Sequence, residues 1–415
     1  MALRDVGQRT FLALGTHNYR LFFAGQLVSV TGTWVQTTAQ AWLILQLTHS
    51  PLMLGLLVTV QFLPVTLAGP FGGVVADRLP KRGVLIATQS AFAAAAAVLA
   101  ALTWIGHPHP AVIFAVVFCF GVINVIDGPT RQAFVTEMVG RPQLPNAVAL
   151  NSLAFNSARV VGPAVAGVLI GTVGVSLCFA LNALSYVAVI VGLALIRSDL
   201  LHRPDRSRAV PAGVLRQLRE GVAYVRQTPD IALAIGLMAV VSAFSLNFSI
   251  FLPALARTTL HVGASGFGLL STALGAGALL GALGVAYRGR ADWRPLLVGC
   301  AGLGLFMILA GRAPGLPLAM VWLALAGAGM ITYSSMTNSL LQMRTPAHLR
   351  GRVMGLYLWI FLGTAPVGGL VTGAVEQAGG APLAMTVGGL LALGTAAAGG
   401  AVLLRRRRPV ASCAA

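Results

Sequence analysis

The sequence predicts an all-α membrane protein of twelve transmembrane helices in two pseudo-symmetric six-helix bundles. Three observations predict it. Twelve apolar runs of roughly 20 residues, each able to cross ~30 Å of hydrocarbon, fall near 20–46, 51–76, 83–105, 110–132, 143–171, 175–196, 230–255, 264–287, 295–311, 316–341, 351–375 and 382–404. The 28 Lys and Arg residues, Arg159, Arg257 and Arg312 excepted, lie in the N-terminal segment, the C-terminal tail or alternate loops and the span ends beside them, which is the positive-inside pattern. The two halves also repeat: Thr16-His17-Asn18-Tyr19 precedes span 1 as Thr228-Pro229-Asp230-Ile231 precedes span 7, and Gly73-Val74-Val75-Ala76 is answered by Gly284-Val285-Ala286-Tyr287.

Composition excludes the other classes. A chain with 57% hydrophobic residues, 9% charged residues and a mean hydropathy of +0.84 cannot be a soluble globule. The net charge of +18 is accounted for by the basic loops, so no nucleic-acid partner is implied. Cys119, Cys178, Cys300 and Cys413 are dispersed without metal-ligand spacing and read as packing thiols. His107 and His109 lack a third ligand and read as solvated. No nucleotide-binding loop or nucleophile constellation is present, so neither an enzyme nor an ATP-driven pump is expected.

Taken in order, span 1 is expected to be retained rather than cleaved and carries a polar stripe of Gln26, Ser29, Thr33, Gln36 and Gln40 at steps of three and four. Polar residues are costly in hydrocarbon, so such a stripe is expected to face a cavity or another helix. Span 2 runs into Gly73-Val74-Val75-Ala76-Asp77-Arg78-Leu79-Pro80-Lys81-Arg82. Here Gly73 is expected to admit a neighbouring helix, Asp77 to face the positive end of another, and Pro80 to keep spans 2 and 3 apart. Span 4 holds Asn124, Asp127 and Arg131 on one face. Asp127 has three readings: an i,i+4 pair with Arg131, a gate partner for Arg78 or for Arg352 on span 11, or a titrating proton carrier.

Span 5 carries Arg159 past the midplane. It reads either as a bridge to backbone carbonyls or as a hold on an anionic or polyphenolic substrate group. Gly162, Pro163 and Gly167 then permit close packing and a bend, and Ala365-Pro366-Val367-Gly368-Gly369 echoes them on span 11. Segment 197–229 holds seven arginines, and Pro211 to Arg226 reads as an amphipathic helix on the inner membrane surface with Leu215, Leu218, Val222 and Val225 on one face. The segment separates an N-terminal bundle, 1–196, from a C-terminal bundle, 230–404, which a basic tail, 405–415, follows. Span 7 shows Ser242, Ser245 and Ser249 on one face, and span 10 shows Thr332, Ser335 and Ser339.

Gly73, Asp77, Arg78, Lys81 and Arg82 match a loop signature, Gly-x-x-x-Asp-Arg-x-x-Arg/Lys-Arg, so the block resembles the loop between the second and third helices of the major facilitator superfamily. The second copy keeps Arg288, Arg290 and Arg294 but has no acid equivalent to Asp77. Asn18-Tyr19-Arg20-Leu21-Phe22-Phe23, Asp127-Gly128-Pro129-Thr130-Arg131, Leu144-Pro145-Asn146-Ala147 and Arg350-Gly351-Arg352-Val353-Met354 resemble the bacterial efflux branch that includes enterobactin and macrolide exporters. The resemblance implies that spans 1, 4, 7 and 10 line a central cavity. It also implies a monomeric multi-pass exporter of the bacterial inner membrane with both termini cytoplasmic. Such a protein would move a siderophore or drug-like amphiphile by alternating access, with the proton gradient as energy source, membrane lipids as its surroundings and no cofactor or metal. An importer or lipid flippase on the same fold, or a sensor that transports nothing, are the alternatives.

Overall fold

The computed structural model describes residues 11–106, 108–202, 214–288 and 290–407, without the side chains of 74–77 and a few single positions. Among these residues the secondary structure is helical throughout. The first half holds α1 (His17–Thr48), α2 (Pro51–Arg78), α3 (Lys81–Ile105), α4 (Pro110–Gly140), α5 (Pro142–Thr172) and α6 (Val175–Ala194). The second holds α7 (Pro229–Thr259), α8 (Ala264–Arg288), α9 (Trp293–Gly311), α10 (Leu316–Arg344), α11 (347–378) and α12 (381–407). The twelve expected spans all appear.

Ten described segments are long and apolar enough to cross a membrane; one of them, His348–Arg406, contains both α11 and α12, and α1 is not among the ten. Its glutamines lower its hydropathy below that of its neighbours. Helices α4 and α5 form one continuous run, Pro110–Thr172, broken where Gly140 takes φ 69°. The break between α11 and α12 falls at Gly379–Gly380, where Gly380 has φ 74°. An L side chain is strained at such φ values, so both turns call for glycine.

Close-packed small residues join the helices, as expected where lipid provides no hydrophobic drive between them. A Cβ on Gly72 would run into the Val125 carbonyl of α4, and one on Gly25 into the α6 backbone at Val189. Gly73, by contrast, faces open space. The close approach expected of it belongs to its neighbour, because one residue turns the position about 100° round a helix of 3.6 residues per turn.

The same geometry recurs in the two halves at α5 and α11. On α5, Gly162 abuts Trp34 and Thr31 of α1 in its own half, and Gly167 abuts Gly268 of α8 in the other. On α11, Gly368 abuts Ala243 of α7 in its own half, and Gly369 abuts Gly55 of α2 in the other. Backbone dihedrals stay helical through Pro163, so the Gly162-Pro163 stretch serves as a packing surface rather than a break.

The linker helix is described over Val214–Gln227; the Pro211 expected to begin it and the Leu215 side chain lie outside the described residues. It is docked rather than free: Gly221 packs on Arg352 at the start of α11, and Glu220 pairs with Arg352 at 2.9 Å.

Candidate functional site

The basic loops define one end of the bundle, and the halves join toward the other. The polar contacts between halves fall from mid-membrane outward. Thr59 donates to the Pro366 carbonyl at 2.8 Å, the Trp359 indole to the Thr66 carbonyl at 2.9 Å, and Ser50 to Gln377 at 2.8 Å. Arg257 reaches the Leu45 carbonyl at 2.8 Å. The outer part of α7 forms the plug of this closed end. It breaks after Phe244, resumes over Phe248–Ala254 and ends in a π-helical turn, Leu255–Thr259. Phe251, Leu252, Ala254, Leu255 and Ala256 are all buried, wedged among both halves.

Toward the basic end the described ion pairs stay within a half or bind the linker helix. Lys81 pairs with Glu137 at 2.6 Å, tying α3 to α4. Arg82 donates to the Leu193 and Ala194 carbonyls, both at 2.8 Å, and to Ser198 at 3.0 Å. It thereby caps the last turn of α6, where unpaired carbonyls and the negative dipole end favour a cation. In the second half Asp230 of α7 holds both Arg344 of α10 and Arg406 of α12. A surface hollow of about 550 Å³ beside that cluster lies away from the midplane. The Asp77 side chain lies outside the described residues, and Arg78 is exposed.

Asp127 is 1% exposed and fully engaged. It accepts from Thr88 at 2.7 Å and Gln89 at 2.9 Å, both on α3, and pairs with Arg131 one turn along α4. Of its three readings, the i,i+4 pair is the one the geometry displays. Its partners belong to its own half, and Arg352 is engaged by Glu220 instead.

Four of the five residues of the α1 polar stripe pack inward, and Thr33 is exposed. Gln26, Ser29, Gln36 and Gln40 are buried, and Gln36 accepts from Asn182 of α6 at 2.7 Å. Thr33 lies 3.3 Å from Tyr186 of the same helix. Asn182 and Tyr186 escaped the sequence reading, although a polar pair at i,i+4 in an apolar span was the available signal. Asn124 and Ser249 are exposed, while Thr332, Ser335 and Ser339 are half-buried. Ser242 bonds Thr364 at 2.9 Å, and Ser245 donates to the Gly388 carbonyl at 2.8 Å.

The residues that meet at the inner limit of the far-end contact come from both halves. Arg159 stacks its guanidinium over the Trp34 ring, 5.7 Å from its centroid, and approaches Met330 Sδ of α10 at 3.2 Å. Trp34 meets Phe155 edge to face at 5.7 Å. Gly275 of α8 packs on the backbone of Arg159 and Val160. A half-buried cation therefore lies against one aromatic ring and a thioether, with a second ring packed on the first.

A model of transmembrane secretion effectors matches residues 9–413. The chain belongs to the transmembrane secretion effector family of major facilitator transporters. It is therefore a multi-pass membrane transporter and not an enzyme. It is 28% identical over 368 residues to the multidrug efflux pump Tap of Mycolicibacterium fortuitum, covering 87% of this chain and 89% of that one. It is 24% identical over 371 residues to macrolide efflux protein A of Streptococcus pyogenes, covering 85% and 88%. A peptide-transporter-family (POT) structure in complex with 5-aminolevulinic acid superposes with a TM-score of 0.74 at 12% identity, covering 94% of this chain and 96% of that one, a likeness of fold alone. For this family member the paired α5–α8 and α2–α11 contacts are the joint between halves.

Proposed function

We propose that the protein is a secondary exporter that moves a siderophore or drug-like amphiphile out of a bacterial cell by proton antiport and alternating access. Its basic end, with both termini, faces the cytoplasm, and it works as a monomer. The observation that carries this reading is the meeting of Trp34, Phe155, Arg159 and Met330 at the inner limit of the contact between halves. The sealed far end, and the lack of a cross-half ion pair among the described residues at the basic end, support reading this conformation as the one that receives cargo from the cytoplasm. The efflux-type relatives support outward direction, and the weakly polar surroundings of Arg159 support an amphiphile over a sugar.

In this reading Asp127 and Arg131 fasten α4 to α3, and Asp77, Arg78, Lys81 and Arg82 organise the cytoplasmic gate. The test is uptake of erythromycin and ethidium into inverted membrane vesicles, with and without an imposed pH gradient. Uptake that needs the gradient is expected. Gradient-driven movement in the opposite direction would make the protein an importer, and transport of fluorescent phospholipid alone would make it a flippase.

A further inference from the structure

The sequence places the end of the eleventh span near residue 375, which leaves Glu376 just outside the membrane. The helix instead continues to 378, and Glu376 is 1% exposed inside the sealed far end. Neither of its carboxyl oxygens has a hydrogen-bond partner among the described residues. Asp127 has three donors; Glu376 has none.

Among the described residues its surroundings offer no compensating charge. On this part of α11, Gly373 packs on Pro51, Leu52 and Gly55 of α2 and Thr372 meets Asn247 at the break in α7, while α9 packs on the following helix, α12. Those stretches of α2 and α12 hold no acid, base or histidine, and Cys300 of α9 donates to the Ala392 carbonyl. Arg257 of α7 is spent on the Leu45 carbonyl and on His49 at 3.2 Å. His261 and Arg312, on the adjoining turns, are exposed. A carboxylate anion in this place would have neither water nor a partner, a heavily penalised arrangement, whereas a protonated carboxyl carries no charge to bury.

The position is also mechanically placed. One turn before Glu376, on the same face of α11, Thr372 accepts from Asn247 at 2.9 Å, at the break in α7. Beyond that break lies the outer segment of α7, which plugs the far end. Opening the far end requires that segment to leave the other half, which brings water to Glu376. On the other side of Asn247, Ser242 and Thr364 bond each other at 2.9 Å and continue the row of polar groups toward mid-membrane.

We propose that Glu376 is the proton-binding site of the transporter and that its protonation licenses closure of the far end. The proposal rests on the antiport reading above. With the far end open, the carboxylate takes a proton from external water and becomes a neutral acid; closure then buries an uncharged group. In the cytoplasm-open state the proton leaves to water that enters from mid-membrane along the polar surface of Ser242, Thr364, Asn247 and Thr372, the water and not the amide carrying it. The bare carboxylate then favours reopening of the far end, with cargo bound. One proton moves inward for each outward passage, and no bond other than O–H forms or breaks.

The experiment uses the full chain in lipid nanodiscs, with its four native cysteines replaced by serine and spin labels at Val173 and His261, exposed far-end positions in opposite halves. Distances are measured from pH 5 to pH 9. The parent is expected to gain a longer distance as pH rises, Glu376→Gln to stay short throughout, and Glu376→Asp to keep the transition. A parent without pH response, or Glu376→Gln responding like the parent, overturns the proposal. Should Glu376→Gln fail to run as a monodisperse species, Glu376→Asp decides: a displaced midpoint supports the proposal and an unchanged one overturns it. Proteoliposomes assayed with erythromycin separate the two readings. Glu376→Gln is expected to lose gradient-driven transport at least tenfold while keeping exchange without a gradient. If the parent follows the gradient and Glu376→Gln does so equally, the Glu376 assignment alone fails. If the parent ignores the gradient, antiport itself fails and the assignment falls with it.

Discussion

Arg159 of α5 and Met330 of α10 meet at 3.2 Å, Nη2 to Sδ, across the line between the halves. The same guanidinium lies on the Trp34 ring, so its fork is aimed by a stack on one side and a soft acceptor on the other. A thioether is a weak acceptor, which leaves most of the guanidinium's hydrogen-bonding capacity available to a ligand. Arg159→Lys keeps the charge but loses the planar fork and the stack. It is expected to weaken transport of an anionic or polyphenolic cargo by about tenfold, corresponding to ~1.4 kcal/mol, with folding intact. Met330→Ala is expected to change transport far less. Initial rates against cargo concentration in inverted vesicles measure both, and equal effects would refute a cargo role for Arg159.

The glycine contacts between α5 and α8 set how tightly the far end closes. A leucine at Gly167 has to displace the backbone of Gly268. Overpacking of this kind costs about 1–3 kcal/mol, and here the cost falls on the closed state alone. Gly167→Leu is therefore expected to raise far-end accessibility by about tenfold, read as the rate of membrane-impermeant maleimide labelling of a cysteine placed at the buried plug position Leu255.

Asp127 and Asp230 provide an internal comparison of buried and exposed ion pairs. Asp127 is buried, so Asp127→Asn leaves Arg131 without its charge partner and disrupts the donors from Thr88 and Gln89; a loss of about 3 kcal/mol in stability is expected. The double variant with Arg131→Gln is expected to lose less than the sum of the singles. Thermal unfolding in detergent measures the coupling.

Asp230 pairs with Arg344 and Arg406 from a side chain that is 38% exposed. Solvent screening limits such pairs to below about 1 kcal/mol. Asp230→Asn is expected to lower the unfolding temperature only slightly, and raising salt from low to physiological strength is expected to erase most of that difference. A large, salt-independent loss would mean that the cluster is a buried lock.

The Gly73 to Arg82 block makes a separate prediction. Asp77→Asn is expected to reduce efflux at least tenfold while the protein remains inserted and folded. Lys81→Ala and Arg82→Ala are expected to lower stability as well, because those cations tie α3 to α4 and cap α6. Cellular drug accumulation alongside membrane abundance separates the two kinds of effect.

What the sequence determined by itself is the part that follows from the membrane. The length of hydrocarbon, the cost of charge within it and the bias of cations toward one side give twelve spans, their alternation and the two halves from one-dimensional pattern alone. Polar stripes were legible as stripes, because helical spacing is a property of the chain. What those stripes face was not: Gln36 turns to Asn182 on α6, a residue 146 positions away, and only the packing of α1 against α6 brings them together. The same holds for Gly72 in place of Gly73, where about 100° of rotation decides which residue meets α4. It holds most sharply for the two acids. Hydropathy placed Asp127 inside the membrane and Glu376 at its edge, but whether a buried carboxyl is satisfied depends on donors supplied by other helices. The tertiary structure supplied three to Asp127 and, among the described residues, none to Glu376.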